Sequence, residues 1–112
     1  MSVEGVWKVE MRGAYGWEKL GTVFLQNGRY LGASADHFST GSYEVDGDAF
    51  AADIQVTQYG KVRTVYGSKK KQLSHRLEAK IKKEGKIVGM TNPAEGKKYD
   101  VKVRLTRLSD LD

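Results

Sequence analysis

The 112-residue chain has no cysteine and a single proline. Without cysteine there are no disulfides, no thiolate metal sites and no thiol nucleophile. With one proline, few positions are barred from a β-ladder. No apolar run approaches the roughly 20 residues of a membrane-spanning helix. The first twelve residues interleave Glu4, Lys8 and Glu10 with apolar side chains, so they lack the apolar stretch of a signal peptide. These absences together lead to the expectation of a cytoplasmic protein. Chemistry-bearing motifs are missing too. There is no H-E-x-x-H, no phosphate-cradling G-x-x-x-x-G-K-[ST] and no G-x-S-x-G elbow. The two histidines, His37 and His75, lie far apart in sequence, and no ligand spacing points to a metal. The expectation is a binding protein rather than an enzyme, with no cofactor and no catalytic residue.

What is present is glycine, 13 residues spread evenly with no linker, repeat or low-complexity tract. Residues 1–112 therefore read as one domain. Short, glycine-punctuated segments of period two mark antiparallel strands. Trp7, Val9 and Met11 share one face of the first. A second runs from about Glu18 to Gln26 and is apolar enough to be covered on both sides. Asn27-Gly28 closes a hairpin, because both residues tolerate positive φ. The third strand spans about Arg29 to Ala35 and the fourth about Gly41 to Val45. Asp46-Gly47-Asp48 then turns into a fifth with Phe50, Ala52, Ile54 and Val56 on one face. Gln58 to Gln72 is the longest loop, with room for a short helix. The sixth strand sets Leu73, His75, Leu77, Ala79 and Ile81 against polar neighbours. The seventh covers Ile87 to Thr91. The eighth points Tyr99, Val101, Val103 and Leu105 inward. Eight sequential antiparallel strands suggest an all-β, up-and-down, lipocalin-like barrel, which removes exposed edges. A two-sheet sandwich is the alternative.

Alternation points His75 to the inside, where a core histidine satisfied by a hydrogen bond is the plain reading. The sharper reading makes it part of a site for a small hydrophobic ligand, with Trp7, Tyr43 and Tyr99 as the other contacts. A barrel of this size can hold one small molecule.

Charge is unevenly distributed. Residues 1–60 carry four Lys/Arg and eight Asp/Glu, whereas residues 61–112 carry fifteen and six. The net charge is +5. The basic second half, with Lys69-Lys70-Lys71 and Tyr66 in the long loop, suits an anionic partner. Direct nucleic-acid binding is disfavoured, since the aromatics alternate inward rather than standing on a basic face. Opposite halves also suit self-association as a homodimer.

The order of short motifs carries a resemblance. Gly5-Val6-Trp7 opens the first strand. Gly21-Thr22-Val23-Phe24-Leu25-Gln26-Asn27-Gly28-Arg29-Tyr30 leads to Gly32. Gly41 with Tyr43 follows, and Val101 to Leu108 closes the chain. This resembles the GrlR-like family, small bacterial lipocalin-like barrels named after a negative regulator of type III secretion. The resemblance implies regulation by protein–protein contact, with a transcription activator as partner, and a homodimer. In that regulator an acidic run follows the fourth strand. The matching turn here is Val45-Asp46-Gly47-Asp48, which makes Asp46 and Asp48 the candidate partner contacts.

Overall fold

The computed structural model describes residues 2–13, 16–60, 71–83, 85–92 and 100–111. Eight strands follow one another: β1 (Gly5–Gly13), β2 (Gly16–Gln26), β3 (Arg29–Ala33), β4 (His37–Asp46), β5 (Ala49–Gln58), β6 (Gln72–Lys82), β7 (Lys86–Thr91) and β8 (Val101–Ser109). Each pairs antiparallel with the next, and β8 pairs back onto β1. The sheet is thus a closed barrel, and the sandwich alternative is excluded. No helix occurs among the described residues; residues 61–70, where a short helix had room, lie outside them.

Period two built most of this. Trp7, Val9 and Met11 on β1 are buried, as are Phe50, Ala52, Ile54 and Val56 on β5. Leu73 and Leu77 on β6 and Val103 and Leu105 on β8 face the same inside. Burying one such Leu side chain contributes about 2–3 kcal/mol. Tyr99 and Lys69-Lys70 fall outside the described residues.

Three strand assignments need correction. β2 is covered on one side only: Val23 and Leu25 are buried, whereas Phe24 between them is half exposed. Its apolar run comes from the outward Phe24 between two core residues, and its broken period from a bulge. Val9 pairs with Gly21 but Glu10 with Lys19, which leaves Leu20 as an extra residue on β2. The insertion resets the alternation, so Leu20 and Val23 both reach the core although they are three apart. β4 begins at His37, four residues earlier than the pattern suggested. Its inward positions there are His37, Ser39 and Gly41, two polar and one without a side chain, so no apolar alternation betrays them. β3 stops at Ala33, because Ser34 and Asp36 form the turn into β4.

Gly41 lets β4 and β5 approach closely. A Cβ at this position would lie 2.0 Å from the carbonyl oxygen of Asp53 on β5. Only glycine permits so close an approach of two backbones. The Asn27-Gly28 hairpin forms as its sequence requires, with φ of 53° and 77°.

Candidate functional site

The barrel has two ends. The hairpin end carries the turns at Asn27-Gly28 and Gly47-Asp48, with Lys83 and Gly85 and with Ser2 to Glu4. The loop end carries Ser34 to Asp36, Tyr59 and Asn92.

At the hairpin end, Trp7 forms the floor. Its indole Nε1 donates to the Val3 carbonyl at 2.9 Å, and the Arg107 guanidinium lies 4.6 Å from its ring centre. Arg107 in turn donates to the carbonyls of Glu4 and Ser2, each at 2.7 Å, and pairs with Asp110 at 2.9 Å. The N-terminal residues are therefore strapped across this end. The strap, Trp7, Ile81 and the lysines of the β6–β7 turn enclose a cleft of about 530 Å³. Tyr43 lies elsewhere on the same end, stacked on Phe50 with centroids 5.5 Å apart. Burial holds its phenol above the ordinary value, with a further push from the Glu4 carboxylate. Asp46 and Asp48 are exposed on the β4–β5 turn. The Asp48 carbonyl accepts from the Ile81 amide at 2.7 Å, so the acidic turn sits directly beside the basic β6–β7 hairpin.

His75 lies deeper, paired across the sheet with Ile54. The Thr91 hydroxyl donates to the Arg76 carbonyl at 2.8 Å and stands 2.5 Å from His75 Nδ1. Because the threonine proton is committed to Arg76, its oxygen accepts from the ring. The proton of neutral His75 is thereby placed on Nδ1. Burial lowers the His75 pKa from its ordinary 6.5 to about 4. His75 and His37 line the same interior space, along with Tyr30 and Ser39. Its volume is about 20 Å³, which is room for about one water molecule. Of the four ligand contacts read from the sequence, Trp7 lines the end cleft and His75 the interior space. They do not share one cavity.

At the loop end, Ser34 Oγ and Asp36 Oδ1 both lie 2.8 Å from His37 Nδ1. A serine, a histidine and an aspartate in contact invite comparison with a catalytic triad. A triad needs the acid on one ring nitrogen and the hydroxyl on the other, so that the base can accept the hydroxyl proton. Here both partners crowd one nitrogen, and the arrangement fixes the turn instead. Tyr59 adds to it, donating to the Ser34 carbonyl at 2.6 Å. Among the described residues, no three His, Asp or Glu side chains are grouped to hold a metal ion.

The outer wall divides into two faces. On β6, β7, β8 and β1 the outward positions include Lys80, Lys82, Lys86, Lys102, Arg104 and Lys8. Within this face Glu10 is covered by Arg104, whose Nε donates at 2.9 Å and whose guanidinium stacks 4.0 Å above the Trp17 ring. That hydrogen bond holds the Glu10 carboxyl below its ordinary range. On β2, β3 and β4 the outward positions are uncharged over a contiguous area. Phe24 stands opposite Leu31, Ala33 opposite Phe38, and Phe38 packs 6.2 Å from Tyr59.

Sequence reasoning missed Arg107, the apolar wall and the His37 cluster. Arg107 had a signal. It continues the inward series of Val103 and Leu105, and a cation at an inward position marks a barrel mouth. The apolar wall had a signal in Phe24, which sits between two core residues on β2. The His37 cluster had none, since its residues are ordinary turn formers.

No protein-family model matches this chain, and no curated protein matches it.

Proposed function

We propose that this chain is a non-catalytic, cytoplasmic regulatory protein of the GrlR-like kind, acting by protein–protein contact. The observation that supports the reading is the uncharged apolar wall. Phe24, Leu31 and Phe38 are 50%, 40% and 43% exposed on adjacent strands. Contiguous aromatic and aliphatic exposure of this sort is what protein interfaces bury. The occupant is a second copy of the chain. Two molecules of net charge +5 repel, so they meet best where charge is absent. The patch of Phe24, Leu31, Ala33 and Phe38 offers that. The homodimer then leaves Asp46 and Asp48 exposed for a basic partner such as a transcription activator.

Sedimentation equilibrium tests the self-association. The expected result is a dimer that Phe24→Ser with Phe38→Ser converts to a folded monomer. A wild-type monomer at every concentration overturns it. The partner site is tested by affinity capture from native lysate with Asp46→Lys and Asp48→Lys. Unchanged capture of every partner removes these residues from the site.

The basic face supports a second reading, an anionic partner. Its affinity falls steeply with added salt if the lysines carry it, and salt-independent binding refutes it.

A further inference from the structure

We propose that the cleft at the hairpin end binds a small amphipathic organic anion, an apolar body carrying one carboxylate or sulfonate. This goes beyond the protein-contact reading and is independent of it, because the cleft lies at the barrel mouth and the apolar wall on its side.

The interior space between the histidines is about 20 Å³, and the mouth cleft about 530 Å³. Only the second has the size of a small-molecule pocket, for which about 300–1,000 Å³ is typical. Its floor is apolar: Val3 and Trp7 are buried, and Ile81 packs against the core. Its rim is cationic, formed by Lys82, Lys83 and Arg107. The three cations play different parts. Arg107 spends its donors on Ser2, Glu4 and Asp110, so it shapes the site and keeps the strap in place. Lys82 and Lys83 are exposed, and neither forms an ion pair with any described residue. Both line the cleft, whose floor is apolar. Of the nearby carboxylates, Asp110 is occupied by Arg107, and Asp48, whose main-chain carbonyl accepts from Ile81, lies on the neighbouring turn with no ion pair to a described residue. Glu84 stands between Lys83 and Gly85 in the sequence and leaves the turn with a basic excess. An apolar body on Trp7 and Ile81 with its anionic group at Lys82 and Lys83 satisfies both halves of the cleft. A neutral molecule uses only the floor, and a cation meets repulsion at the rim.

The test is an amide-resolved NMR titration of the full chain with octanoate, octanol and octyltrimethylammonium, each below its micelle concentration. Octanoate is expected to bind saturably, with shifts concentrated at Val3, the Trp7 indole N–H, Ile81 and Gly85. The exposed positions of Lys82 and Lys83 allow Lys82→Ala with Lys83→Ala to fold normally. This variant is expected to weaken octanoate about fivefold, the effect of removing two exposed charge contacts, and to leave octanol unchanged. Octyltrimethylammonium is expected to bind more weakly than either. Absence of saturable shifts at millimolar octanoate overturns the proposal. So do shifts confined to Met11, His37 and His75, or octanoate binding that the double variant does not alter. A parallel sedimentation with phosphatidylglycerol vesicles separates a dissolved ligand from a membrane. Vesicle binding without octanoate binding also overturns it.

Discussion

Acidification tests the interior most directly, through His75. Its ordinary pKa is 6.5 and burial lowers it to about 4. The unfolded chain therefore binds more protons than the folded one between these values. Stability contributed by neutral His75 is complete above pH 6.5 and is lost as the pH falls toward 4. Proton linkage puts the loss between pH 7 and pH 5 at about 2 kcal/mol for a shift of this size, and at about 3 kcal/mol by pH 4. Carboxylates titrate mainly below pH 5, so the upper window isolates histidine. His37 faces the same interior space, so a His75 variant is needed to separate the two. His75→Leu fills the site with a side chain of similar bulk and leaves Thr91 bonded to Arg76. Urea unfolding of both proteins at pH 7 and pH 5 gives the comparison. The wild type is expected to lose about 2 kcal/mol more than His75→Leu over that interval. Equal losses, or a His75 ring proton titrating near pH 6.5 by NMR, would refute the burial argument and the tautomer assignment that accompanies it.

Gly41→Ala is expected to destabilise the barrel by about 3 kcal/mol or more, since its methyl meets the Asp53 backbone and not a movable side chain; thermal melting reads this. Gly28→Ala is milder, about 1 kcal/mol, because it places a Cβ at positive φ in a turn where the nearest atom, the Tyr43 carbonyl oxygen, is at ordinary contact distance. Arg104→Ala removes the main partner of Glu10, and the Glu10 carboxyl pKa is expected to rise; carbon-detected NMR titration of the side chain checks it.

The eight-stranded order was legible because one-sided alternation needs only neighbouring residues to appear. Asn27-Gly28 was legible for the same reason, since its turn is decided by the φ of two residues. What escaped depended on partners distant in sequence. The start of β4 was hidden because its inward side chains, His37 and Ser39, are satisfied by the fold rather than by being apolar. The bulge at Leu20 is a property of the β1–β2 register, which neither strand displays alone.

The candidate sites divide in the same way. Local pattern placed Trp7 and His75 inside the barrel, and composition placed negative charge early and positive charge late. Closure decided the rest. Pairing β8 with β1 gathered the lysines of four strands onto one face, while β2 to β4 carry the apolar patch of Phe24, Leu31 and Phe38. It brought the turn of Asp46 and Asp48 against the β6–β7 hairpin, so acidic and basic halves meet at one mouth. It also separated Trp7 from His75, which line different cavities. Which face a residue takes is a matter of period two along one strand. Which residues then share a cavity depends on strand order, register and close approaches such as that at Gly41, and these exist only once the sheet has closed.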